Sequence, residues 1–236
     1  MPFHIGEARF AAEGQALAAL AGELARRAVQ ASSQTVRVAG SLPPLFGSYR
    51  PDLFEAGRVS ELLTPLVNGL APHVDLWLAE TQSSIVEARA IHAGLPQDGK
   101  PFWLSFTLKD EDTDEVPRLR SGEPVADAAE AAAQLGVAVL LFNCSQPEVI
   151  GAAIDTARQT FERLGVSIQI GAYANAFPPQ PKEATANDGL DPLRDDLDPP
   201  GYLHWAADWQ ARGASHLGGC CGIGPEHIAV LAQKLA

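Results

Sequence analysis

The sequence alternates between short apolar runs and segments with helical periodicity, and this alternation constrains the fold more than any other feature. Six apolar runs have the length and composition of β-strands, and a helical segment follows each of them. Strands that alternate with helices pair in parallel through right-handed crossovers, so the sequence predicts an α/β fold. The strands are predicted over residues 36–41, 75–80, 102–108, 137–143, 166–171 and 216–218.

The predicted helices complete this pattern, and one of them precedes the first strand. That first helix places Phe10, Leu17, Leu20, Leu24 and Ala28 on one face, which predicts an apolar stripe. The helices after the strands are predicted over residues 53–70, 83–92, from 124 onward, 147–164, 203–212 and from 225 onward.

Two architectures fit such an alternation, an open doubly wound sheet and a (β/α)8 barrel. No glycine-rich dinucleotide fingerprint follows any predicted strand. Catalytic groups gathered at the carboxyl ends of several strands are typical of a barrel, although six strands cannot close an eight-stranded one. Polar or sulfur-bearing residues lie at or just beyond the predicted strand ends at Glu80, Ser105, Thr107, Asn143, Cys144, Asn175, Cys220 and Cys221.

Composition limits the partners of the chain. Its 236 residues are 46% hydrophobic, enough for a sizeable core, and the formal net charge is -12. A nucleic-acid or anionic membrane surface would demand a basic face, so neither is expected as a partner. The sequence has no apolar stretch of membrane-spanning length and no signal-peptide layout at its start, and we therefore expect a cytoplasmic protein.

Residues 177–200 contain six prolines and many acidic residues. Because the α/β pattern resumes after them, we interpret the segment as one long loop rather than a domain linker. The whole chain, residues 1–236, is accordingly predicted to form a single domain.

The three cysteines carry the clearest chemical signal. Cys220 and Cys221 are adjacent and flanked by glycines, a setting that disfavours a disulfide between them and favours two thiolates offered to one soft metal ion, zinc first. Cys144 follows a predicted strand. Three cysteine sulfurs that leave one coordination position of the zinc open would form a catalytic zinc site. An odd cysteine count fits free thiols in a reducing compartment. Two alternatives remain: cysteines buried as small hydrophobes, and a reactive thiol pair without metal.

Further polar residues at strand ends are candidates for binding a substrate. Glu80 ends an apolar strand, where a carboxylate is costly unless it faces a polar pocket or a cation such as a ligand ammonium. Ser105 and Thr107 alternate with Phe106 and are expected on one face of their strand. Asn143 and Asn175 could hold a substrate or orient loops.

Several of these segments resemble the homocysteine S-methyltransferase family. Residues Gly218 to Ile228 closely resemble its C-terminal zinc motif, and Phe142 to Ser145 resembles the upstream motif with the first zinc cysteine. Other similar segments are Val38 to Pro44, Ala79 to Thr81 and Ser105 to Leu108, so the resemblance covers nearly the whole chain.

The resemblance implies a (β/α)8 barrel in which Cys144, Cys220 and Cys221 hold zinc and the sulfur of homocysteine takes the open position. It also implies that Glu80 contacts the amino group of homocysteine. A sulfonium donor, S-methylmethionine or S-adenosylmethionine, would supply the methyl group and methionine would form; alternatives are betaine as donor or a non-catalytic zinc-binding paralogue. The remaining substrate-binding residues would be Thr81, Ser105, Thr107, Asn143 and Asn175, and a homo-oligomer is possible.

The sequence departs from the family at its start. Family members begin with a strand that carries an Asp-Gly-Gly-like motif and continue with a second barrel strand. The segment Met1 to Gly6 resembles the part that follows this second strand. We therefore expect an incomplete barrel of six strand-helix units, with an open seam beside the last strand.

Overall fold

A parallel sheet of six strands forms the centre of the fold, and its strands lie side by side in chain order. The computed structural model describes residues 1–111, 116–179 and 192–235. The strands are β1 (Ala39–Leu42), β2 (Leu76–Gln82), β3 (Phe102–Phe106), β4 (Val139–Asn143), β5 (Gln169–Tyr173) and β6 (His216–Leu217).

Helices connect consecutive strands, and two more precede the first. Local signals in the sequence set several of their ends: Ser84 caps one helix by accepting a hydrogen bond from the Glu87 amide, and Gly165 ends another in the left-handed conformation. The helices are α1 (Pro2–Ile5), α2 (Glu7–Gln30), α3 (Val59–Leu70), α4 (Ile85–Ala93), α5 (Val125–Gln134), α6 (Pro147–Leu164), α7 (Pro199–Ala211) and α8 (Pro225–Lys234).

The predicted alternation is confirmed, while several boundaries differ from the prediction. Strand β5 extends to Tyr173, beyond the predicted end at residue 171. Helix α7 begins at Pro199, four residues before the predicted start, because the Asp198 side chain caps it by accepting from the Gly201 amide at 2.8 Å. Of the loop predicted over residues 177–200, residues 180–191 lie outside the described part of the chain.

The two faces of the sheet differ in what covers them. On one face, Trp77, Ala79, Leu104 and Phe142 join the main core. The other face carries a small second cluster of Leu76, Leu78, Val139 and Leu141, with Trp103 and Tyr173 packed against it. Because side chains alternate along a strand, this second face is the one on which Glu80, Ser105 and Asn143 continue toward the carboxyl ends of the strands.

The expected apolar stripe of α2 is wrong in part. Phe10 is buried, but Leu20 and Leu24 are 51% and 52% exposed. The helix packs on α3 through small residues instead: a side chain at Gly69 would lie only 2.5 Å from the backbone oxygen of Gln15. Close backbone approach at this glycine therefore decides which side of α2 faces the protein.

The sheet is open in the described part of the chain. Strands β1 and β6 form its two edges, and each pairs with one neighbour. The expectation of a sheet that does not close is confirmed. Within the residues that the structure covers, no helix is long and apolar enough to cross a membrane.

Candidate metal centre

Three cysteine sulfurs converge at the carboxyl ends of β4 and β6. The ligand atoms of Cys144, Cys220 and Cys221 all lie within 4.8 Å of one another. Cys144 follows β4 directly with a φ of 49°, and backbone hydrogen bonds hold the turn after β6 against the segment after β5. In these bonds the Cys220 amide donates to Ala174 at 2.9 Å and the Ala176 amide donates to Cys221 at 2.8 Å.

The spacing of the Cys220 and Cys221 sulfurs fits two ligands of one zinc ion. Tetrahedral coordination at a zinc–sulfur distance of about 2.3 Å separates neighbouring sulfurs by about 3.8 Å. The sulfurs of Cys220 and Cys221 are 4.0 Å apart. Three thiolates also form a soft donor set that suits zinc and leaves one coordination position for a further ligand.

The expectation that all three thiols are free is wrong in this structure. Cys144 and Cys220 form a disulfide with their Cα atoms 5.8 Å apart, and Cys221 is the free cysteine. A sulfur in a disulfide cannot act as a thiolate ligand, so binding of zinc by all three cysteines requires the reduced pair. The fold holds the two sulfurs together because strand ends that share one rim bring distant cysteines into contact.

Glu80 lies beside this centre on the same face of the sheet and is partly exposed. Its carboxylate accepts hydrogen bonds from the Ser41 hydroxyl at 2.6 Å and from the Tyr173 hydroxyl at 3.0 Å. A carboxylate has about four acceptor positions, so these two donors leave capacity for an ammonium group. Two hydroxyl groups are thus the polar partners of the Glu80 carboxylate in the described part of the chain.

A β-bulge shapes the sheet at Glu80. Between two paired positions, Glu80 and Thr81 of β2 together oppose the single residue Ser105 of β3. Thr81 has a φ of 61°, which is rare for a β-branched residue. The bulge lets both side chains reach the site although they are neighbours in sequence.

A chain of hydrogen bonds connects β3, β4 and the bulge with the cysteines. Buried Ser105 donates to the carboxamide oxygen of Asn143 at 2.6 Å, and the Asn143 amide nitrogen donates to the Thr81 hydroxyl at 2.8 Å. The same nitrogen lies 4.0 Å from the sulfur of Cys220. Asn143 is therefore held by both of its polar atoms, which fixes the orientation of its amide beside the three cysteines.

Thr107 is buried and contacts the loop that carries Cys144. It follows the end of β3 and donates to the backbone oxygen of Cys144 at 3.2 Å. Strand β3 ends at Phe106, so the face that Thr107 was expected to share with Ser105 stays a prediction. Thr107 is placed to hold the loop that carries the first cysteine.

Asn175 is buried just after β5. Its carboxamide oxygen accepts from the Phe177 amide at 3.2 Å, while its amide nitrogen has no hydrogen-bond partner among the described residues. The structure places it near the turn of Cys220 and Cys221, since the flanking residues Ala174 and Ala176 hold that turn.

Two residues that bind Glu80, Ser41 and Tyr173, were not predicted from the sequence. Burial and the charge of Glu80 raise the pKa of Tyr173 well above its ordinary value, so its hydroxyl stays protonated as a donor to Glu80. Burial, then the charge of Cys221, raises the pKa of Tyr49 to about 12. Tyr173 would have been found by extending the predicted fifth strand by two residues.

Fold and site together define an α/β protein with three cysteine sulfurs clustered at the carboxyl ends of parallel strands. The profile of the family described as Homocysteine S-methyltransferase matches residues 2–235. The chain belongs to the homocysteine S-methyltransferase family.

The proteins that resemble the chain include one from a plant and one of known structure. Homocysteine S-methyltransferase 4 of Zea mays is 26% identical over 167 residues, which are 68% of this chain and 44% of the maize protein. The chain thus spans less than half the length of this curated relative. The crystal structure of the homocysteine methyltransferase MmuM from Escherichia coli, in its oxidized form, is similar with a TM-score of 0.70 and 25% identity, over 95% of this chain and 72% of that one.

Proposed function

We propose that the protein transfers a methyl group from a sulfonium donor, S-methylmethionine or S-adenosylmethionine, to the thiol of L-homocysteine and yields methionine. The observation that carries this proposal is the convergence of three cysteine sulfurs beside a hydrogen-bonded carboxylate at one rim of the sheet. Family membership supports the acceptor. The sulfonium donor is the one that the resemblance to the family favours, and the comparison of donors below tests it.

Cys144, Cys220 and Cys221, once reduced, would hold the zinc ion. Bound zinc lowers the pKa of a coordinated thiol and so keeps it as the nucleophilic thiolate at neutral pH. The protein residues around it bind and orient the substrate. Glu80 would bind the ammonium group of homocysteine, and Asn143, fixed by Ser105 and Thr81, would keep the neighbouring surface polar and rigid.

The methyl transfer is a nucleophilic substitution at the methyl carbon of the donor. A lone pair of the homocysteine sulfur forms the new bond to the methyl carbon, while the bond from that carbon to the donor sulfur breaks. The electron pair of the broken bond stays on the donor sulfur, which leaves as a neutral thioether. The proton of the homocysteine thiol is released to solvent before the attack.

Two acidic segments, residues 110–115 and 188–198, would be expected to attract a cationic donor. Residues 112–115 and 188–191 lie outside the described part of the chain. Asp110 is only 2% exposed and pairs with Arg120 at 3.2 Å, while Asp196 pairs with Arg194 at 2.6 Å. These carboxylates are already paired, so the described part of the loops gives little support to the attraction.

We expect reduced protein loaded with zinc to convert homocysteine to methionine with S-methylmethionine or S-adenosylmethionine. The measurement is methionine formation by mass spectrometry with a deuterium-labelled methyl group in each donor, and betaine serves as the comparison donor. If labelled methionine forms only with betaine, the methyl donor is betaine and the proposal of a sulfonium donor is wrong. Zinc bound at one ion per chain with no labelled methionine from any donor would instead support a non-catalytic zinc-binding protein.

A further inference from the structure

Gln82 is buried on the helix-covered side of the sheet, directly behind the Glu80 bulge. Its amide nitrogen donates to the backbone oxygen of Leu42 at 3.1 Å and to that of Glu80 at 2.9 Å. Because both partners are carbonyls, the nitrogen must face them and the amide orientation is fixed. The side chain thereby ties the end of β1 to the bulge in β2.

The bulge is the element that needs such support. Thr81 keeps a left-handed backbone conformation with a φ of 61°, and a conformation of this kind costs about 1–3 kcal/mol and persists only where the surroundings enforce it. The Glu80 oxygen bound by Gln82 belongs to the peptide group between Glu80 and Thr81. The contact therefore acts on the backbone that directs the Glu80 carboxylate toward Ser41 and Tyr173.

Glu87, on the first turn of α4, lies behind Gln82 in the same layer. One carboxyl oxygen accepts from the Ser83 amide and from the Ser84 hydroxyl, both at 2.9 Å. Its other oxygen, like the carboxamide oxygen of Gln82, is buried without a hydrogen-bond partner among the described residues. Both residues line one narrow gap, too small for a water molecule, whose other walls are Leu45, Phe46, Phe54 and Ile91.

Two buried acceptors against an apolar wall are costly unless a proton lies between them. Burial raises the pKa of Glu87, which favours a protonated carboxyl. A protonated Glu87 supplies a donor for the carboxamide oxygen of Gln82. Glu123, which accepts from the Ile85 amide at 3.0 Å, lies near enough for its charge to act on Glu87 in the same direction.

We propose that Gln82 is a positioning residue for Glu80, the carboxylate that would bind the substrate. Neutral Glu87, by the same proposal, holds the side chain of Gln82 in place. The inference rests on the proposed function, because it gives Gln82 its effect through the binding of homocysteine. Neither residue contacts the substrate or the cysteines directly in this arrangement.

The test compares Gln82→Met, which keeps the side-chain volume and removes both amide hydrogen bonds, with the wild-type protein. We expect the Kd and KM for homocysteine to rise about tenfold, the effect of losing about 1.4 kcal/mol of hydrogen bonding, with kcat and zinc content unchanged. Glu87→Gln, a neutral isostere that can still donate, should retain wild-type affinity, and Glu87→Met should weaken it. Should Gln82→Met fail to fold, Gln82→Asn, which is too short to reach both carbonyls, takes its place.

Crystal structures of the wild-type and Gln82 variant proteins separate this inference from the proposed function. The expected result is loss of the hydrogen bonds from Ser41 and Tyr173 to Glu80 in the variant, and this can be observed even if the wild type binds no homocysteine. Retention of those bonds, or equal homocysteine affinity in a wild type and variant that both bind it, would overturn the role of Gln82.

Discussion

Replacement of Cys220 by alanine is expected to remove zinc and methyl transfer together. Zinc binding by four ligands in small proteins releases about 10–16 kcal/mol, or about 3–4 kcal/mol per ligand, so one lost thiolate should weaken zinc binding about 10²–10³-fold. The sulfur of Cys220 lies 4.0 Å from that of Cys221, and Cys144 and Cys220 are in bonding contact, which places Cys220 between the other two. Zinc content and competition with a chelator measure the change.

A surface substitution provides the matched control for this variant. Ser60→Ala removes a small polar side chain from the exposed side of α3, far in sequence from the metal centre, and should leave zinc content and activity unchanged. The thermal unfolding of Cys220→Ala should be compared with that of reduced, metal-free wild type. Full zinc content and wild-type activity in Cys220→Ala would contradict the three-cysteine site.

Replacement of Glu80 by alanine should have the second largest effect, on the affinity for homocysteine. A charge-assisted hydrogen bond between carboxylate and ammonium contributes about 1.5–3 kcal/mol, so we expect Kd and KM to rise about 10- to 100-fold. Zinc content should not change, because the carboxylate is bound by Ser41 and Tyr173 rather than by a cysteine. Isothermal titration of the zinc-loaded, reduced protein gives the affinity directly.

A homocysteine analogue without the amino group tests whether Glu80 acts through that group. Wild-type protein should bind 4-mercaptobutanoate, which keeps the thiol and the carboxylate, about 10- to 100-fold more weakly than homocysteine, whereas Glu80→Ala should bind the two compounds alike. Glu80→Gln, which keeps the shape without the charge, should lie between these results. If Glu80→Ala still prefers homocysteine over 4-mercaptobutanoate, a residue other than Glu80 binds the amino group of homocysteine.

The sequence was sufficient to predict the features that depend on local pattern. Apolar runs and helix caps predicted the alternation, and the parallel strands then brought Cys144 and Cys221 to one rim although they are far apart in the chain. Glu80 was recognised because a carboxylate at the end of an apolar strand needs a polar partner. The partners themselves, Ser41 and Tyr173, come from β1 and β5, and no local pattern relates these strands to Glu80.

Features that depend on tertiary geometry could not be predicted in this way. The bulge at Glu80 and Thr81 changes the alternation of side chains by one residue, and it is visible only from the register with β3. The exposed leucines of α2 follow from the close approach at Gly69, which a helical periodicity does not contain. The pairing of Cys144 with Cys220 likewise depends on the distance between two strand ends, while the sequence supplies only their identities.

Zinc K-edge X-ray absorption of the reduced, zinc-loaded protein counts the sulfur atoms around the metal and so tests whether all three cysteines bind it. We expect three sulfurs and one lighter atom at about 2.0–2.3 Å in the free protein, and four sulfurs after addition of homocysteine. A first shell with fewer than three sulfurs, or one that homocysteine leaves unchanged, would contradict this expectation.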